Sequence, residues 1–125
     1  MVSRPTEVCF LLDAAGAVLW RDASGDPAAL PDSRDRWTAI WTRRAVLVEV
    51  AHSHPHGPLA FSAQDLSTMD AVDAALGQPL TWAVVTPDNL LRRGPDRRTL
   101  VVDVEPAWVR DLRAASGMEN RAWRS

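Results

Sequence analysis

The run His52-Ser53-His54-Pro55-His56-Gly57-Pro58-Leu59-Ala60-Phe61-Ser62-Ala63-Gln64-Asp65 holds the residues best suited to chemistry in this chain. His52 and His54 are two apart, and in an extended segment the side chains of i and i+2 point the same way. Their imidazoles can then converge on one ion at about 2.0–2.1 Å. Asp65 stands in the first turn of the helix that Ser62 starts, where its carboxylate can add an oxygen ligand. Two histidines and one carboxylate leave a fourth tetrahedral position for water, as in catalytic zinc sites. Ser62-x-x-Asp65 is also the spacing of a helix capping box, so the pair has a structural reading as well. The turn after Pro55 is expected to carry His56 away from the other two.

A hydrolytic zinc site needs a base for its water. The candidates are Glu7 and Glu49. Glu49 shares a segment with His52 at odd spacing, which places it on the opposite face of a sheet. Glu7 opens the first strand, and it can serve if that strand lies beside the histidines. Spacing alone leaves that adjacency open.

These residues need elements to position them. Glu7 to Leu12 reads as a strand, Asp13-Ala-Ala-Gly16 as a turn and Ala17 to Arg21 as the second strand of a hairpin. Ser24 to Pro31 is a loop, and Asp32 can cap a helix from Ser33, with Trp37, Ile40, Trp41 and Arg44 as its apolar stripe. Ala45 to Ala51 is a continuous apolar run expected to be a central strand. His52 to Phe61 reads as a loop. From Ser62 a second helix presents Leu66, Met69, Val72 and Leu76, and Gly77 stops it. Leu80 to Thr86 is a strand. Asn89 to Arg93 and Thr99 to Val104 form a hairpin about Gly94-Pro95-Asp96. Pro106 suits the first turn of a last helix to Ala115. Gly117 to Ser125 reads as a frayed tail. The order β-β-α-β-α-β-β-β-α implies one α/β domain over residues 1–125, with its core between 7 and 115.

Composition narrows the function. The net charge of −2 carries no footprint for nucleic acid. The pairs Arg43-Arg44, Arg92-Arg93 and Arg97-Arg98 read as solvated faces. No apolar run is long enough for a membrane span. Cys9 is the lone cysteine, so no internal disulfide forms, and it reads as a small buried hydrophobe. Met1 to Thr6 is too short and polar for a signal peptide, so cytoplasmic residence is expected. Trp108 is expected in the core and Trp123 in the tail, and nothing in the sequence specifies an oligomeric state.

The four-part pattern resembles the JAMM signature of the MPN/JAB metalloproteases. That signature is His-(Ser/Thr)-His, seven residues, Ser, two residues and Asp, with a Glu well upstream. Here Pro55 to Phe61 supply the seven, and Ala63-Gln64 the two. Glu7-Val8-Cys9-Phe10-Leu11-Leu12 is similar to the family's Glu-x-Cys-Gly-Leu-Leu, with Phe10 in place of Gly, and His52 follows Glu7 by 45 residues. The resemblance runs from Glu7 to Val104. It implies an MPN/JAB (cytidine-deaminase-like) fold, a mixed β-sheet flanked by helices. It implies one Zn2+ held by His52, His54 and Asp65, with water as fourth ligand. Glu7 would take a proton from that water and pass it to the leaving amine, and Ser62 would steady the oxyanion. The implied partner is the glycine tail of ubiquitin or a ubiquitin-like protein, or its conjugates, cut by an isopeptidase of deubiquitinase type. Only six residues precede Glu7, where the family carries a helix. The related expectations are a processing protease for a ubiquitin-like sulfur carrier, a non-catalytic MPN scaffold, and a RadC-type protein associated with DNA repair.

Overall fold

The computed structural model describes residues 5–23 and 34–118. The elements, in chain order, are β1 (Val8–Leu12), β2 (Val18–Ala23), α1 (Arg34–Arg43), β3 (Glu49–Ser53), α2 (Ala63–Leu76), β4 (Thr81–Val85), β5 (Leu90–Arg93), β6 (Thr99–Val101) and α3 (Ala107–Ser116). The strands form one six-stranded sheet in the order β2-β1-β3-β4-β5-β6. Only β3 and β4 run parallel, joined by the α2 crossover, and every other pairing is antiparallel. This is the mixed β-sheet flanked by helices that the resemblance implied, in the single α/β domain that the element order implied.

Period-2 alternation divides β1 between two cores. Val8, Phe10 and Leu12 face α3, where Trp108, Val109, Leu112 and Met118 cover them. Cys9 and Leu11 face α1 and α2, with Ile40, Val50, Met69, Val72 and Trp82. The sheet is therefore buried on both faces, so β1 and most of β4 read as unbroken apolar runs. Phe10, in the family's Gly position, fills the α3 side, on the opposite face from Cys9.

Several expectations need correction. The strand expected over Ala45 to Ala51 begins at Glu49 and runs through Ser53. Residues 44–46 turn off the end of α1, with the Val46 and Leu47 amides bonded to the Arg43 carbonyl. His52 and Ser53 thus belong to the sheet, paired with Val84 and Val85, and not to a loop.

In α1 the buried residues are Ala39 and Ile40, while Trp37 and Trp41 are exposed and lie against each other with ring centroids 6.0 Å apart. The Arg43 stem lies inward, donating to the Leu19 and Ala39 carbonyls, and rotates the stripe away from the tryptophans. In α2 Leu66 is exposed and Asp73 takes a buried place. The segment expected as a strand to Val104 ends at Val101.

Gly117 and Met118, expected in a frayed tail, are held in place, and the rest of that segment, 119–125, lies outside the described residues. Gly117 is the left-handed cap of α3, the Met118 amide bonds the Arg113 carbonyl, and Met118 enters the core. That is a Schellman stop with its hydrophobic contact. Trp108 is buried as expected. The loop from Ser24 to Pro31, the cap at Asp32 and Trp123 lie outside the described residues.

Candidate metal centre

The site forms at the end of the sheet where β3 leaves and β1 enters. Antiparallel pairing sets Cys9 opposite His52, which brings Glu7 to the level of His54. Alternation along β3 turns His52 to the α1/α2 face and Glu49 to the α3 face. There Glu49 is held by Arg92 through two hydrogen bonds, at 2.9 and 3.1 Å. Burial raises the Glu49 carboxyl against the opposing pull of Arg92.

The Nε2 atoms of His52 and His54 are 3.0 Å apart. Asp65 Oδ2 lies 3.4 Å from the first and 3.8 Å from the second. Tetrahedral zinc with bonds of about 2.0–2.1 Å separates its ligands by about 3.3 Å, so the triangle has the right size. The chemistry of the donors agrees. His54 Nδ1 lies 2.9 Å from the Pro58 carbonyl oxygen, which can only accept. The Nδ1 proton is therefore donated there, and Nε2 keeps its lone pair toward the site. Among the described residues, His52, His54 and Asp65 are the one set of three side chains able to hold a metal ion. His56 is exposed and outside this set.

Ser62 is the N-cap of α2. Its Oγ accepts the Asp65 amide at 3.0 Å, and its own amide donates to Asp65 Oδ2 at 2.8 Å. Both sequence readings of Ser62-x-x-Asp65 thus use the same atoms, because the box that starts the helix also aims the carboxylate. Burial opposes ionisation of Asp65, but the hydrogen bond and charge of His52, with the Ser62 contacts, bring its carboxyl down to about 2. It is an anion whenever a metal could bind.

Glu7 Oε1 is 3.7 Å from His54 Nε2, and Glu7 is 6% exposed. Its backbone is clamped on both sides. The Val8 amide donates to Ser53 Oγ at 2.8 Å, and the Thr6 amide donates to the Ser116 carbonyl at 2.9 Å. Ser53 Oγ and Ser116 Oγ are 2.9 Å apart, and Ser116 Oγ donates to the Thr6 carbonyl. Ser53 had entered only as a letter of the motif, and Ser116 not at all. No local signal marks Ser116, because its contact spans 110 residues.

A cavity of about 240 Å³ adjoins the four groups. It runs between α1 and α2 over a floor of Cys9, Val50 and Trp82, with Ile40, Met69 and Val72 as apolar walls. Burial, partly offset by Arg36 and reinforced by Asp22, pushes the Cys9 thiol up to about 12, so it is a wall and not a nucleophile. Asp73 supports the floor from behind, accepting the Leu80 amide and Trp82 Nε1, each at 3.1 Å.

No helix among the described residues is long and apolar enough to cross a membrane. A family model described as prokaryotic homologs of the JAB domain matches residues 4–115. No curated protein matches the chain.

Proposed function

The chain belongs to the family of prokaryotic JAB-domain homologues, and from that premise we propose that it is a zinc-dependent isopeptidase or peptidase. Its substrate is the C-terminal glycine tail of ubiquitin or a ubiquitin-like modifier, joined to a leaving amine. The observation that carries this reading is the meeting of four groups. Two imidazole Nε2 atoms and one carboxylate oxygen lie within 3.8 Å of one another, and a second, buried carboxylate stands 3.7 Å from His54.

In this mechanism His52, His54 and Asp65 would hold a zinc ion, which would supply Lewis acidity to a water and to the scissile carbonyl. Glu7 Oε1 takes the proton released when water attacks and returns it to the departing nitrogen. Its burial keeps bulk water from competing for that proton. The Ser62 hydroxyl sits at the rim, and its proton donates to the oxyanion as the carbonyl becomes tetrahedral. The cavity walls exclude water behind the reacting bond.

The test uses a ubiquitin-like protein fused through its terminal glycine to a reporter amine. A tail-extended sulfur carrier of the same fold is the second substrate. Zinc-loaded protein is expected to release the reporter, and chelated protein and Glu7→Ala are expected not to. Cleavage of the extended carrier alone would assign the processing role. One bound zinc with no cleavage of either substrate would move the chain to the scaffold class.

A further inference from the structure

We propose that β6 is the seat of a two-fold homodimer in which the sheets of two copies join edge to edge. β6 is the last strand of the sheet, so among the described residues one side of its backbone has no strand beside it. Monomeric proteins usually defend such an edge with charge or proline. Here the middle of the edge is apolar instead. Leu100 is 56% exposed, Val101 48% and Val104 87%.

The net charges of the two ends have opposite sign. Asp96, Arg97 and Arg98 precede β6, and Asp103 and Glu105 follow it. Glu105 is engaged by Arg113 through both its oxygens, at 2.6 and 2.8 Å, so Asp103 is the exposed acid of the pair. Arg97 and Arg98 are exposed, at 63% and 86%, and their ion pairs with Asp70 at 3.5 Å and Asp96 at 3.8 Å lie in solvent, where such pairs are weak and can exchange. An antiparallel second copy reverses the order, and each basic end meets an acidic end. Two-fold pairing is self-complementary in this way by construction.

Hydrogen bonding limits the register. The Val102 amide bonds the Leu90 carbonyl, and the Gly94 amide bonds the Arg98 carbonyl. By antiparallel alternation Arg98, Leu100 and Val102 spend their backbone groups on β5, and Thr99 and Val101 point theirs outward. Of the registers that use those outward groups, the one that pairs Thr99 of one copy with Val101 of the other also brings the basic end to the acidic end. It sets Leu100 against Leu100 on the axis and brings the turn that carries Arg97 toward the bend that carries Asp103 of the other copy. Leu100 then meets its own copy at the close, non-hydrogen-bonded position. The metal centre is untouched. Val101 and His52 lie in one row of the sheet but are separated by β4 and β5.

The experiment is the molar mass of the purified chain against concentration, by sedimentation equilibrium, with thermal melts to confirm folding. The wild type is expected to reach twice the 13.8 kDa of one chain. Leu100→Lys, which places like charges across the axis, is expected to lower association at least tenfold, as are Arg97→Glu and Asp103→Arg alone. The combined Arg97→Glu/Asp103→Arg variant is expected to recover association, because the swap restores the pairing. A wild type that stays monomeric overturns the proposal. So does a dimer that ignores Leu100→Lys, or a combined variant no better than its parents.

Discussion

The Ser53 hydroxyl accepts the Val8 amide at 2.8 Å, so the residue between the two histidines holds the backbone that carries Glu7. Ser53 points to the α3 side of β3 while its neighbours point to the metal side. One strand thereby presents two candidate metal ligands and braces the proposed base through the opposite face.

Ser53→Ala is expected to leave zinc stoichiometry at one per chain and to lower kcat about ten- to hundredfold, the usual effect of losing such a support. The stranded Val8 amide costs a further 1–3 kcal/mol of stability, as an order of magnitude. Ser53→Thr keeps the hydroxyl and is expected to recover most of both. Elemental analysis beside kinetics separates the two effects. Zinc lost in Ser53→Ala would mean that the brace acts on the histidines and not on Glu7.

Glu7→Gln is expected to bind zinc as the wild type does and to lose about 100-fold or more in turnover, the range for a missing general base. His54→Ala is expected to lose the metal. Zinc content and single-turnover cleavage on the same preparations decide between them.

Acid stability of the metal-free protein reports on Asp65. Its carboxyl is lowered to about 2 from 3.8. A depressed carboxylate stabilises the fold above the unfolded value and loses that contribution as pH falls from 3.8 toward 2. The amount is on the order of 1–2 kcal/mol. In urea melts, Asp65→Asn is expected to flatten the curve over that window. Glu49 works in the opposite sense. Its raised carboxyl favours the fold below the ordinary value of 4.5, and that contribution fades as pH rises through the folded value.

Cys9 is expected to resist thiol reagents in the native protein at neutral pH and to react once unfolded, since burial holds it protonated. Rapid labelling of the folded chain would mean that the cavity floor opens.

Asp73→Ala removes the acceptor for the Leu80 amide and Trp82 Nε1 and the anion 3.5 Å from Arg93 Nη2. The expected cost is about 2–4 kcal/mol, because buried donors and a buried cation lose their partner. Thermal melts measure it, and a change under 1 kcal/mol, on the order of a surface substitution, would show that water takes its place.

The sequence was most readable where one residue type does one local job. The Ser62 cap, the Gly77 stop and the strand around Cys9 follow from short-range rules, and the metal set follows from the spacing of three side chains. It was least readable where burial is decided by distant partners. Trp37 and Trp41 have the composition of a core stripe, yet Ala39, Ile40 and the Arg43 stem occupy the inward face. Asp73 looks like a surface charge until Trp82 and Arg93 close over it. The shift of β3 from Ala45 to Glu49 has the same origin, since only the partners on β1 and β4 tell a strand from an apolar turn.

The tie between Thr6 and Ser116 has a consequence for biosynthesis. Both histidines and Asp65 leave the ribosome well before residue 116. The segment bearing Glu7 is among the first to emerge, but it gains its second anchor only when α3 folds back onto it. A nascent chain can therefore gather its metal ligands early and still lack a fixed proton acceptor until the last helix docks. On the proposed function, the order of synthesis would withhold a working proton acceptor until α3 has docked.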